Sequence, residues 1–288
     1  MPPVTPVHSV TESHRVTGVA SLALRELLRG PRRTGRVIGA VHQALYLEFA
    51  DPVPPPGVIV LSPPDAPRPP NAILVQPPEL ATGVEVSAGD GRVTAGDLDI
   101  KITRWWDPSP VFGPVSRARL DHGAGALARL CHAAACQPGL PGDTLAPLAA
   151  ACAAGDLATA AEAAEMLTGL GPGLVPSGDG VICGVLLALR LLGGAISGGT
   201  RAVWLADWLG AAATCHATQR TTSLAAALLH CAASGQAAAE ASEVLLGIAG
   251  HEALEPAAAR LLAGTAGADL AAGLVTGCRA ALRLGRTR

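Results

Sequence analysis

Proline and alanine are segregated along this chain, and no other feature constrains its fold as much. Residues 1–120 hold 18 of the 24 prolines but 11 of the 57 alanines; residues 121–288 hold the remaining 6 prolines and 46 alanines. Proline lacks the backbone N–H that a helix interior uses, whereas alanine has the highest helix propensity. The split predicts an α+β chain. A β-rich domain, an antiparallel sheet or a small barrel, is expected over residues 1–116, followed by an α-helical bundle domain over residues 117–288.

The β-rich half is expected to open with a helix from about Gly18 to Leu28. Short β-prone runs follow at Arg36–Val41, Ala44–Phe49, Gly57–Leu61, Ala72–Val75, Gly83–Val86, Arg92–Thr94 and Leu98–Thr103, separated by proline- and glycine-rich turns. Trp105 and Trp106 are adjacent on the last run and so point to opposite faces, one of them toward the seam between the halves. Helices are expected over 117–136, 143–154, 157–168, 179–193, 201–217, 222–233, 236–248, 252–263 and 268–284, with Asp156, Thr200 and Thr221 or Thr222 as starts. Trp204 and Trp208, four residues apart, share a helix face expected to pack in the core.

Composition removes several function classes. With 49% apolar and 15% charged residues over 288 positions, the chain can build a core and is not disordered. Lys101 is its single lysine, and it has no phosphate-loop motif of the G-x-x-x-x-G-K-[ST] kind. Aromatic residues at 2% and a net charge of -2 argue against a nucleic-acid partner. The first 18 residues lack a basic stretch followed by an apolar one, and the most apolar run, Val181–Leu189, is far shorter than the roughly 20 residues of a membrane span. Seven cysteines without a C-x-x-C pair point to reduced thiols and a cytoplasmic setting. The pairs Cys131-His132, Cys215-His216 and His230-Cys231 lack zinc spacing and read as core cysteines beside partly exposed histidines. No metal site and no cofactor are implied.

One segment stands apart. G-L-G-P-G-L-V-P-S-G-D-G at 169–180 packs five glycines and two prolines into twelve residues and leads into the apolar run at 181–189. That run is hydrophobic all round and reads as a buried helix. A stiff glycine-rich turn at a helix N-terminus presents backbone N–H groups to an anion, and the helix dipole adds to the attraction. Gly171, Gly173, Ser177 and Gly178 are therefore candidate anion ligands. Asp179, in the first turn, is a candidate to orient a substrate amide or to hold a metal; Ser177 and Asp179 also read as plain helix caps. Arg220 can fork onto a carboxylate or phosphate, with Thr221, Thr222 and Ser223 as hydroxyl donors. G-A-D-L-A-A-G at 267–273 repeats the pattern weakly and offers Asp269 as a second carboxylate converging on the same point.

The loop at 169–180 resembles the signature of the oxamate carbamoyltransferase subunit family, the AllH type, whose usual pattern reads G-L-G-P-G-L-T-P-S-G-D-D. Val175 replaces the usual threonine and Gly180 the second aspartate. R-T-T-S-L at 220–224, L-L-H-C-A-A-S-G at 228–235 and the 267–273 segment are also similar to the family, with Ala266 where a serine is usual. The resemblance implies carbamoyl transfer between carbamoyl phosphate and oxamate, giving oxalurate and phosphate, or the reverse. It implies partner carbamoyltransferase subunits, with Asp179 and Arg220 as catalytic residues and Gly171, Gly173, Ser177, Gly178, Thr221, Thr222 and Asp269 as substrate contacts. Two other readings stay open: a metal-dependent helical hydrolase using Asp179 and Asp269, and a non-catalytic anion-binding assembly subunit.

Overall fold

The computed structural model describes residues 14–41, 44–49, 55–264 and 266–285. Eight strands close into a barrel: β1 (His14–Ser21), β2 (Arg33–Val41), β3 (Ala44–Phe49), β4 (Val58–Ser62), β5 (Ala72–Leu74), β6 (Glu85–Gly89), β7 (Arg92–Ala95) and β8 (Leu98–Trp106). Around the barrel they run β1-β5-β4-β3-β2-β6-β7-β8, with β8 returning to β1. Closure removes every sheet edge. The closed barrel is the second of the two expected forms, and its sheet is mixed rather than wholly antiparallel: β1 pairs parallel with β8, and β4 parallel with β5.

The helix expected from Gly18 begins late. Residues 14–21 are strand β1, a short 3₁₀ turn covers Leu22–Leu24, and only α1 (Arg25–Arg29) is α-helical. Val16, Thr17 and Val19 are β-branched and align along β8, with Val16 opposite Ile100. The Ser21 hydroxyl then accepts the Ala23 amide at 3.1 Å and turns the chain.

Alternation fills the barrel. Leu45, Leu47 and Phe49 of β3 point inward and are buried. All five residues of β4 are buried because both its faces are covered. Ile59 and Leu61 join the barrel core, while Val58 and Val60 pack outward against Leu224 and Ala227 of the helical half. Trp105 packs on the barrel core and Trp106 on this seam cluster, on opposite faces as expected.

The second half holds α2 (Arg117–Ala133), α3 (Ala146–Ala154), α4 (Leu157–Leu167), α5 (Ser177–Leu187), α6 (Gly193–Ala195), α7 (Thr200–Cys215), α8 (Ala217–Arg220), α9 (Ser223–Ala233), α10 (Ala239–Ala249), α11 (Leu254–Leu262) and α12 (Gly267–Leu284). The apolar run 181–189 is buried throughout, as its uniform apolarity implied, and so is the polar first turn of α5 with Ser177 and Asp179. A π-helical turn at Ala188–Leu192 carries α5 into α6. The stretch Ser177–Ala195 is long and apolar enough to cross a membrane by composition, yet 78% of its most apolar window is buried against the surrounding helices.

α5 and α12 cross at glycines. A Cβ at Gly184 would stand 2.3 Å from the Leu270 carbonyl oxygen, and one at Gly273 would stand 2.1 Å from that of Val181. The two backbones therefore touch. Trp204 and Trp208 share a face, but it is the outer one: they are 64% and 55% exposed. Ala202, Leu205, Ala206, Leu209 and Ala213 form the inward stripe of α7, and the tryptophans lie off it.

Candidate functional site

The glycine-rich loop runs from the end of α4 into α5, and its strain is confined to glycines. Gly169, Gly171 and Gly173 have φ of +77°, +109° and +97°. These are left-handed values that residues with a Cβ rarely adopt. Space is as demanding as conformation: a Cβ at Gly169 would lie 2.1 Å from the Arg220 carbonyl oxygen, and one at Gly178 would lie 1.9 Å from that of Leu167. The loop is thus seated directly on the 220–222 segment.

Two buried carboxylates tie this region together. Asp179 is fully buried. Its Oδ1 accepts the Gly169 amide at 3.1 Å and its Oδ2 accepts the Thr221 hydroxyl at 2.5 Å. Asp269, in the first turn of α12, accepts the Gly139 amide at 2.7 Å and is also hydrogen-bonded to Ser177. Burial pushes both carboxyls above the usual range; these hydrogen bonds pull the other way without cancelling it. Asp179 lies within the first turn of α5 and Asp269 packs against that turn, where a Cβ at Gly180 would meet the Asp269 Cβ at 2.9 Å.

The other candidates sit around this knot. Pro176 is the N-cap of α5, so neither Ser177 nor Asp179 caps that helix. Thr222 caps α9 through the Ala225 amide and donates to the Leu174 carbonyl at 2.6 Å, clamping the loop from outside. Arg220 donates to the Glu165 backbone oxygen at 2.6 Å, lies 3.6 Å from its carboxylate and stays 41% exposed. Gly171 and Gly173 are exposed, and their amides make no hydrogen bond among the described residues.

The loop, the 220–222 segment and the start of α12 are therefore brought to one place. What they build first is a self-satisfied scaffold: the polar atoms of Asp179, Thr221 and Thr222 already serve the loop itself. Free donor capacity is left on the exposed loop amides and the Arg220 guanidinium. Among the described residues, no three His, Cys, Asp or Glu side chains gather as a metal site would need. Burial raises the thiols of Cys152, Cys231 and Cys278 to about 12, which keeps them protonated. Cys215 is exposed rather than in the core, which corrects the reading of its pair with His216.

Two cavities lie along the seam. One, of about 590 Å³, is bounded by β2, β3 and α9 and lined by Arg36, Glu48, Thr218, Ser223 and His230. Glu48 takes Arg36 at 2.7 Å and accepts the Ser223 hydroxyl, which links barrel to helix. Burial favours the neutral form of Glu48, but these bonds and the Arg36 charge outweigh it and lower its pKa. Burial also lowers the pKa of His230 and favours neutral imidazole. Glu48 and Arg36 carried no local motif; the signals in the sequence were Thr218 and Ser223 of the polar 216–223 stretch and His230 of the 228–235 segment. The second cavity, of about 560 Å³, adjoins the glycine-rich loop itself.

Comparison with known proteins falls on the same segment. The model of the family described as oxamate carbamoyltransferase subunit AllH matches residues 167–278. Residues 167–278 are thus similar to that family, which supports the resemblance carried by the loop. The match starts at the last residue of α4 and runs into α12, so it contains the loop, the 220–224 segment and Asp269. No curated protein and no solved structure matches the chain.

Proposed function

We propose that this chain is a subunit of a carbamoyltransferase that handles small anions, with carbamoyl phosphate and oxamate exchanging for oxalurate and phosphate. One observation carries the reading: the AllH-type segment 167–278 supplies the loop, Arg220 and Asp269, and the fold joins them in one knot at the start of α5. The exposed amides of Gly171 and Gly173 bind the anion, with the α5 N-terminus behind them. Arg220 swings from Glu165 to grip the phosphate or carboxylate. Asp179 holds Thr221 toward the loop, and Asp269 holds Ser177, so both act by positioning.

The chemistry balances without a covalent intermediate. The acceptor nitrogen attacks the carbamoyl carbon; the new C–N bond forms as the C–O bond to phosphate breaks, phosphate leaves with the bonding pair, and the nitrogen gives up one proton. Charge builds on the carbonyl oxygen and the leaving phosphate, which backbone N–H groups and an arginine stabilise. Partner subunits complete the enzyme. The test is phosphorolysis of oxalurate by the chain together with the proteins encoded beside it, read as carbamoyl phosphate formed. Arg220→Ala is expected to cut the rate by about 100-fold or more. Binding of carbamoyl phosphate or oxamate without turnover, partners present, would convert the reading to a non-catalytic assembly subunit.

A further inference from the structure

The cavity beside the loop is a poor match for a bare anion. Its walls include Val175 of the loop, Gly180 and Cys183 of α5, Leu224 and Leu228 of α9, and Leu270 of α12. All are apolar or lack a side chain except Cys183, and burial raises that thiol well above its usual range, so it stays a neutral wall. A volume of about 560 Å³ lies within the range of small-molecule sites, which are mostly apolar with a few polar groups at the edge. The polar residues that line it are Tyr46, Gln236, Glu240 and Arg260. The Nε and Nη2 of Arg260 go to Glu243, and its Nη1 has no partner among the described residues.

Val175 and Gly180 are also the two positions at which the loop departs from its family pattern. Each removes a polar group, a hydroxyl in one case and a carboxylate in the other, and both face the same cavity. A molecule composed only of polar groups would lose hydration there and recover few hydrogen bonds. A hydrocarbon group would gain from the same burial.

We propose that this cavity binds the hydrocarbon portion of a small carboxylate or amide ligand whose polar end meets the free amides of the glycine-rich loop. Val175, which belongs to both the loop and the cavity wall, joins the two parts of the site. The preferred ligand of this chain is then larger and more apolar than oxamate. The inference rests on the loop as the polar end of the site, but it is tested by binding rather than turnover.

The experiment is calorimetric titration of the full chain with oxamate and with straight-chain monocarboxylates from acetate to octanoate. Affinity is expected to rise about fourfold per methylene until the cavity is filled. Leu228→Gln, at a partly exposed position in the wall, is expected to flatten that rise. A flat series in the wild type, no binding of any acid, or a rise that survives both Leu228→Gln and Val175→Asn overturns the proposal. A rise with chain length but no carbamoyl transfer in the assembled system keeps the cavity and removes the transferase reading; transfer to oxamate with a flat series does the reverse.

Discussion

Asp179 accepts one hydrogen bond from the Gly169 amide and one from the Thr221 hydroxyl while fully buried, and its raised pKa has a definite sign in stability. A carboxyl whose folded pKa lies above its unfolded value of 3.8 leaves the folded state with more bound protons between the two values. Stability therefore falls as pH rises through that window and is level above it. Asp269 acts in the same direction. In Asp179→Asn, the decline in unfolding free energy above about pH 4 should be shallower than in the wild type, with the Asp269 part remaining; urea titrations across pH 4 to 7 measure it. Backbone strain is as local. Gly169→Ala puts a methyl at φ +77°, 2.1 Å from the Arg220 carbonyl oxygen, and is expected to cost about 2 kcal/mol or more in urea unfolding.

Between elements, the crossing of α5 on α12 is a tight constraint near the site. Gly184 and Gly273 face backbone atoms, which cannot rotate away as a side chain would. Gly184→Ala and Gly273→Ala are each expected to destabilise by about 1–3 kcal/mol, as overpacked cores do. The double variant should lose less than the sum, because either methyl already separates the helices. Gly125→Ala in α2 is the contrasting case. Its nearest neighbour would be the flexible tip of Arg129 at 3.5 Å, so the gain in helix propensity is expected to stabilise by about 0.5–1 kcal/mol. The tryptophans of α7 carry the lesson of a pattern half read. Spacing of four places Trp204 and Trp208 on one face, but which face turns inward depends on where neighbouring helices stand, and the small-residue stripe won.

Across the whole molecule, the barrel and the helices are joined by β4, the Trp106 cluster and the bond from Ser223 to Glu48. Glu48 is the opposite case to Asp179. Its folded pKa lies below its unfolded value of 4.5, so its contribution is complete above 4.5 and is lost as pH falls through the depressed value. Glu48→Gln is expected to weaken the seam by about 1–3 kcal/mol at neutral pH and to remove that acid-side loss. Hydrogen exchange in β4 and α9 should rise together, whereas a local effect would raise only one.

Residue order alone announced a β-rich half, a helical half and the polar loop, because proline exclusion, alanine propensity, strand alternation and glycine's left-handed backbone act over a few neighbouring positions. Strand Ala44–Phe49 was legible to the residue for that reason. The rest needed contacts between distant positions. The parallel pairing of β1 with β8 joins segments some eighty residues apart and turned an expected helix into strand. Asp179 was legible as a special residue, but its partners, Gly169 and Thr221, and the reach of Asp269 to Gly139 depend on how the helices pack. The apolar cavity could not be read from order at all: its walls come from five helices, the loops between them and the barrel, and a concave surface exists only once they are assembled.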